Sequence, residues 1–351
     1  MAKKKARLKD IASLSGVSIG TVDRVLHDRG EVAEKTREKV LMVTRDLKYT
    51  PNLMAQVLKT KRPFNLVSLL PGSTEENTFW SKHPEGMSRA MIELDPFPIT
   101  LSQVNFDILD EKDFTEKTMA VMKLKPDGVV LAPIFKSESI DFCKGLLKNH
   151  IPFVFVDGYL NETDFLAYIG ENVFQSGRVA GQLIDLVTPD NKDVLIVNIA
   201  KHLQNVHHLD NRTKGFMSYF PESGKNNGKK IKLNIPDTKP ETIKVAIDRA
   251  FEKNPGIASI LITGSKSYKI ASYIESAGMK SVNVVGYDLL DSNIKFLKSG
   301  TIRFLIGQRP EEQTYKAIKK LFEYLSFNKT PEKMEYLPID VITSENVDLF
   351  V

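Results

Sequence analysis

The sequence predicts an α/β protein in which an all-helical headpiece, residues 1–50, precedes a two-lobed core of mostly parallel sheets. From Leu8 to about Leu47 apolar residues recur at helical spacing, with breaks at "SGVS" and "HDRGEV" and no strand-like alternation. Beyond Pro63 the texture changes to short apolar runs, most of them separated by amphipathic stretches such as Lys112 to Leu124 and Glu311 to Tyr324. Such alternation means βα units and parallel sheets with helices on both faces. About ten strand candidates exceed what one small sheet usually carries, so two α/β lobes are expected.

Three short helices fit the headpiece. Leu8, Ile11 and Ala12 make the inner face of the first, Gly16 supplies the turn, and Ser18 is placed to cap the second. Thr36, Val40, Val43 and Leu47 continue the apolar spacing in the third. "YTPNLMAQVLKTKRP" then reads as a proline-started short helix with a basic tail, the candidate linker over residues 51–63. In the core, residues 64–351, the strand candidates are "FNLVSLL", "ITLSQVNF", "DGVVLAP", "PFVFVDG", "DVLIVNIA", "KKIKLNIP", "ASILITG", "VNVVGYD", "IRFLIG" and "EYLPIDVI". Ligands of such folds bind beyond the carboxyl ends of strands, so the loops after these runs are where a site is sought.

Composition narrows the class. With 42% hydrophobic and 26% charged residues, both signs well mixed, the chain reads as soluble and globular. "MAKKKARLKD" has no apolar stretch behind it and no run is long enough to span a bilayer, so a cytoplasmic location is expected. The one cysteine, Cys143, fits a reducing compartment and an apolar gap-filling role. The sequons at Asn161, Asn211 and Asn328 then carry no meaning. Charge is unevenly placed: residues 1–62 hold 15 Lys/Arg against 7 Asp/Glu, a net +8, whereas the rest holds 34 against 37, a net −3. The basic end is the expected polyanion contact.

On the second helix, Ile19, Asp23 and His27 share one stripe, with Gly20 and Arg24 beside it, while Val22, Val25 and Leu26 point away. The stripe is what would enter a DNA major groove; a small interaction domain with a solvated charged face is the blander reading.

"LKDIASLSGVSIGTVDRVL", "VAEKTREKV" and "YTPNLMAQVLK" closely resemble, with constant spacing over residues 8–59, the DNA-binding region of the lactose repressor family of bacterial transcriptional regulators. "DGVVLAP", "PFVFVD", "NRTKGF", "VVGYD" and "IGQRPEEQ" resemble, less closely, that family's periplasmic-binding-protein-like core. The resemblance implies an N lobe of about 64–168 plus 306–336 and a C lobe of about 169–305 plus 337–351. It makes Ile19, Gly20 and Arg24 base readers, with Arg24 able to fork onto guanine O6 and N7, and Ser18, Thr21, Thr36, Tyr49 and Asn52 backbone contacts. Leu58 matches a leucine wedged into the minor groove at the centre of the site; packing on the core is its alternative. Two departures stand out, Ala33 for a usual hydroxyl residue and Asp23 for a usual small one. Asp23 either accepts from cytosine N4 or holds Arg24 or His27 in place, and its adjacency to both favours the second.

The same resemblance implies a sugar-like effector between the lobes. Phe79 and Trp80 occupy the place of stacking aromatics, with ordinary helix packing as the alternative for Trp80. Arg212, Asp288 and Gln308 match ligand contacts and are expected at strand ends or loop edges; an Arg212/Asp288 salt bridge across the cleft is the structural alternative. Asp157 could contact ligand or cap the next turn. "LITGSKS" departs from the family's usual Asn-Asp, and "APIFKS" places Phe135 and Lys136 where an acidic residue is common. These departures put a neutral hexose in doubt and bring an acidic sugar or a phosphorylated or cyclic polyol into view.

Other chemistry does not hold up. "GVSIG" satisfies G-x-S-x-G, but in a helix-turn-helix setting no nucleophile is expected. His202, His207 and His208 lack matching ligand spacing, so no metal is expected, and there is no Walker loop or G-x-G-x-x-G, hence no cofactor. The expectation is a non-enzymatic regulator, a repressor, acting as a homodimer on a pseudo-palindromic operator; the ending "VITSENVDLFV" leaves no room for a tetramerising heptad helix. A carbohydrate-binding transport protein or a sugar-active enzyme are the other classes sharing such a core.

Overall fold

The structure is a computed structural model that describes residues 6–26, 30–47, 49, 62–74, 78–199, 207–223 and 227–350; for His207 and His208 it describes the backbone alone. The chain divides into two compact units, Met1–Lys61 and Arg62–Val351.

The first unit holds α1 (Leu8–Ser15), α2 (Ile19–Leu26) and α3 (Glu34–Asp46). The Arg7 N–H donates to the Asp10 carboxylate at 2.7 Å where α1 begins. That helix ends at Gly16, whose φ of +69° is the left-handed turn that favours glycine. Ser18 caps α2, its Oγ accepting from the Thr21 N–H at 3.1 Å. Ala33, which opens α3, has no side-chain oxygen to do the same. The core is small: Ile11, Ala12, Val22, Val25, Val40 and Val43 are buried, with Leu8, Leu26 and Leu47 packed against them.

The second unit has two six-stranded sheets. One contains β1 (Phe64–Pro71), β2 (Ile99–Phe106), β3 (Gly128–Leu131), β4 (Phe153–Val156), β5 (Ala167–Gly170) and β11 (Met334–Tyr336) in the order β11-β5-β4-β3-β1-β2. Every pairing in it is parallel. The other contains β6 (Asp193–Ile199), β7 (Lys230–Ile235), β8 (Ile257–Ile262), β9 (Asn283–Tyr287), β10 (Ile302–Gly307) and β12 (Asp340–Ile342) in the order β12-β10-β9-β8-β6-β7. There only β12 is antiparallel, against β10. Strands covered by helices on both faces are buried throughout, as β3 and β4 are at every residue.

On the first sheet lie α4 (His83–Leu94), α5 (Glu111–Lys123), α6 (Lys136–Lys148) and the late helix α12 (Pro310–Phe327), which packs on β3, β4, β5 and α4. The second sheet carries α7 (Val173–Val187), α8 (His207–Ser223), α9 (Pro240–Lys253), α10 (Ser267–Ser276) and α11 (Asp291–Lys298). The chain thus crosses between lobes three times: after β5, after β10, and between β11 and β12. The α7–α8 contact is unusually close, since a Cβ on Gly177 would lie 2.1 Å from the Arg212 carbonyl and one on Gly215 2.0 Å from that of Phe174.

Two segments differ from the sequence reading. "EYLPIDVI" is not one strand: β11 and β12 join different sheets, with Leu337 to Ile339 as the crossing. The apolar residues run on through the crossing, where Leu337 is buried between exposed Tyr336 and Pro338, so the pattern cannot show a change of sheet. The four-residue β5 was missed because "AYIG" is too short to carry a period. Cys143 is buried in the N-lobe core, where burial pushes its thiol up to about 12.

Candidate recognition face and effector cleft

In the first unit the buried side of α2 is Val22 and Val25, so the turn between them and solvent carries Ile19, Gly20 and Arg24 outward. Ile19 is 43% exposed, leaving an apolar side chain on this face. Arg24 is exposed, its Nε donating to the Gly20 carbonyl one turn back at 3.3 Å, which aligns the side chain along the helix. Ser18 and Thr21 pair through their hydroxyls at 2.9 Å beside this face. Asp23 is half-buried and already has an interaction partner. Thr36 is half-buried in the first turn of α3, and Tyr49 packs against the headpiece core with its N–H on the Thr44 carbonyl at 3.0 Å. Asn52, Leu58 and His27 lie outside the described residues.

The core unit has a cleft between its two sheets, with a cavity of about 870 Å³ opening onto an inner cell of about 90 Å³. Six of the residues expected from the sequence meet in the inner cell: Phe79, Trp80, Asp157, Arg212, Asp288 and Gln308. Ile108 and Ile134 add apolar wall, and Gly264 and Ser265 line both spaces. Phe79 and Trp80 sit on a 3-10 turn, Thr78–Lys82, and touch edge to face with centroids 5.2 Å apart. Behind them His83 stacks on Trp80 at 4.6 Å and 23°. Burial lowers His83 to about 3, against a smaller opposing effect of the Trp80 and Phe79 backbone, so the stack is electrically neutral.

Arg212 is not at a strand end or loop edge, where the sequence reading placed it, but one turn and a half into α8. Nor is its ion pair with Asp288. Nε donates to Glu171 Oε1 at 2.9 Å and Nη2 to the same oxygen, Nη1 donates to the Thr263 carbonyl at 2.7 Å, and the guanidinium lies 3.9 Å over the Tyr287 ring. Both partners are almost wholly buried, so the pair must be close to be tolerated. Burial works to lower Arg212, and Glu171, Tyr287 and Asp288 together outweigh it, holding the guanidinium above its usual value.

Asp157 and Asp288 follow β4 and β9 at φ of +65° and +71°, conformations aspartate tolerates better than most residues. Burial pushes Asp157 up to about 6 and Asp288 to about 7, with Arg212 opposing both. A hydrogen-bonded chain joins their turns across the lobes. The Asp157 N–H donates to Gln313 Oε1 at 2.7 Å, Gln313 Nε2 to the Gln308 carbonyl at 3.0 Å, and Gln308 Nε2 to Asp288 Oδ1 at 2.7 Å. Next to it Arg309 forks onto Asp340 at 2.5 and 2.7 Å, clasping two of the three crossings.

Phe135 lies elsewhere. It borders the outer cavity, but its ring joins Phe106 and Phe114 in the N-lobe core, at centroid distances of 6.2 and 5.6 Å. Lys136, also on the outer wall, is 2.5 Å from Glu162. Sequence reasoning missed Glu171, Gln313 and Tyr287. Only "VVGYD" held a usable signal, since it puts an aromatic beside the expected Asp288. Among the described residues no cluster of three or more His, Cys, Asp or Glu could hold a metal ion, and no helix is long and apolar enough to cross a membrane. His202 and the side chains of His207 and His208 lie outside that description.

Comparison with known proteins bears on both units. Residues 67–329 match the periplasmic binding protein domain family, and residues 7–52 match the lacI family of bacterial regulatory proteins. The HTH-type transcriptional regulator DegA of Bacillus subtilis is 29% identical over 153 residues, 43% of this chain and 44% of the relative. The ribose operon repressor of Lactococcus lactis is 26% identical over 215 residues, 61% of this chain and 60% of the relative. Both matches therefore span less than two thirds of the relative. A crystal structure from Bacteroides fragilis, described as a LacI transcriptional regulator, superposes with a TM-score of 0.73 at 28% identity, over 82% of this chain and 99% of that one. The chain thus carries a lacI-family helix-turn-helix domain ahead of its two-lobed core, and through that core, most of its length, it belongs to the periplasmic binding protein domain family.

Proposed function

We propose that this protein is a sequence-specific DNA-binding transcriptional regulator, a repressor, whose operator affinity is set by a small sugar-like effector held between the core lobes. The observation that carries the reading is the joining in one chain of an exposed Ile19-Gly20-Arg24 face and a cleft where two aromatics and four polar side chains converge. Arg24 reads a guanine, Ile19 and Gly20 admit an apolar contact to the groove floor, and Ser18, Thr21, Thr36, Tyr49 and Asn52 fix register on phosphates. Asp23 orders a neighbour instead of reading a base, in keeping with its existing partner. Leu58 wedges into the minor groove at the centre of the site.

In the cleft, Trp80 and Phe79 stack on the sugar face while Arg212, Asp157, Asp288 and Gln308 take its hydroxyls; Phe135 borders the space without touching the inner cell. A unit this small reads a half-site, so the protein works as a cytoplasmic homodimer on a pseudo-palindrome. The ribose operon repressor relative and a cell that sets aromatic rings beside polar side chains both favour a sugar over other small effectors. Selection of bound sequences from a randomised duplex pool tests the DNA half of the reading: a pseudo-palindromic consensus is expected, and sequence-independent binding would refute it.

A further inference from the structure

We infer that Asp157 and Asp288 make the cleft a charge filter, admitting neutral or amine-bearing polyols and turning away anionic sugars. The inference rests on the effector reading above and narrows it. The charges on the described walls argue for it. Carboxylates come from Asp107, Glu162 and Asp237 in the outer cavity and from Asp157 and Asp288 in the inner cell, with Glu171 directly behind. Against these six stand three cations, Lys136, Lys266 and Arg212.

All three cations already have interaction partners, Lys266 included. Glu171 takes Arg212 through two of its nitrogens, and Lys136 contacts Glu162. What the inner cell presents to a ligand is therefore acceptor-rich. Asp288 has one oxygen on Gln308, and the charges acting on the two acids are Arg212, Glu171 and, for Asp288, Asp157. A uronate carboxylate or a sugar phosphate entering this space would meet like charge where water screens little. Hydroxyls donate to the same oxygens without that penalty, and an ammonium group gains from both. Burial has brought both acids to about 6 and about 7, so an amine drives protons off them. Its affinity therefore rises with pH through about 6 and 7, for as long as the amine itself stays protonated. The acidic or phosphorylated effector that Lys136 suggests in the sequence is thus disfavoured.

The test uses full-length protein and matched probes: galactose, galactosamine and galacturonate; glucose, glucosamine, glucuronate and glucose 6-phosphate; and myo-inositol. Binding is read by the thermal midpoint and by emission of Trp80, the single tryptophan. The expected result is stabilisation by neutral or amine members only, with each acid weaker than its parent by about tenfold or more. Asp288→Asn and Asp157→Asn should each narrow that ratio, even where absolute affinity falls. An anionic member binding as tightly as its parent overturns the filter while leaving the effector reading intact, and so does an unchanged ratio in both variants. A flat response to every probe refutes the effector reading, and the filter with it.

Discussion

Two arginines, one in each unit, show how differently the protein uses the same side chain. Arg24 is exposed and, among the described residues, donates one long hydrogen bond to its own helix, which leaves guanidinium donors facing solvent. Arg212 is buried, has a carboxylate, a carbonyl and an aromatic face around it, and is committed before any ligand arrives. The first is a contact residue on a surface. The second lines the cell it helps to shape, and its charge is answered by Glu171 before a hydroxyl reaches it. Stability should therefore depend on the environment of Arg212 and hardly at all on Arg24, while DNA affinity should show the reverse.

The largest effect expected is at Glu171. Glu171→Ala leaves a buried guanidinium without its counter-ion, and removing one partner of a buried pair typically costs about 3–5 kcal/mol. Chemical denaturation of the core should report that loss; a change below about 1 kcal/mol would show that Thr263 and Tyr287 suffice. Replacing both partners, Glu171→Leu with Arg212→Met, should be milder than Glu171→Ala alone, because no charge is then stranded.

Next in size is pH. Asp288 and Asp157 have folded values of about 7 and about 6, above the ordinary carboxylate value of 3.8. An acid raised on folding binds its proton more tightly in the native state. The stabilisation is therefore complete below about pH 4 and is lost as pH rises through about 6 and 7. Core stability should fall across that window without ligand, and Asp288→Asn should flatten the upper part of the fall. A wild-type curve that rises from pH 5 to 7.5 would mean that other groups dominate.

For Arg24 the contrast is sharpest in binding. Arg24→Ala should leave the unfolding midpoint within the scatter of surface substitutions, about 0.5 kcal/mol. Specific operator binding should weaken by about 1–3 kcal/mol, with preference relaxed at one base pair per half-site. A uniform loss across sequences would make it a phosphate contact instead.

How far the sequence reveals these differences follows from what each kind of signal can carry. Helical periodicity and the glycine and serine at 16 and 18 suffice for the headpiece, because its helices are short and amphipathic and their ends have local chemistry. Continuous apolar runs such as "DGVVLAP" expose the buried strands. Residues that act through distant partners stay hidden. Glu171 follows a four-residue strand and meets Arg212 41 positions later, and Gln313 looks like one more polar residue on an amphipathic helix. Nothing local distinguishes Gln313 from the solvated face of α12, yet it is fully buried and ties the turns of both acids. The inner-cell residues were legible through the family resemblance of motifs such as "PFVFVD", "VVGYD" and "IGQRPEEQ". Arg212 was recognised by motif but placed wrongly, since "DNRTKGF" gives no sign of lying inside a 17-residue helix.

The smallest effect concerns a cap, and it extends the comparison to two neighbouring helices. Ser18 accepts from the Thr21 N–H at the start of α2, whereas α3 starts at Ala33, which offers only its backbone carbonyl, taken by the Thr36 N–H at 2.8 Å. Helix starts leave N–H groups without intrahelical acceptors, and a serine at the capping position satisfies one of them for about 0.5–2 kcal/mol. Ala33 has an extended ψ of 134° and is exposed, so a hydroxyl fits there without displacing anything. In a unit whose buried core is six residues, that gain is a large share of the local stability. Ala33→Ser should slow amide exchange in the first turn of α3, by roughly two- to thirtyfold, while leaving exchange in the core sheets as it was. Slowing confined to the Ala33 segment would mean that the cap acts on its own turn alone. Slowing that extends into α1 and α2 would show the three helices opening as one unit, in which case the headpiece is held together by its weakest helix start. Unchanged exchange in α3 would mean that water already serves the open N–H groups as well as a hydroxyl does.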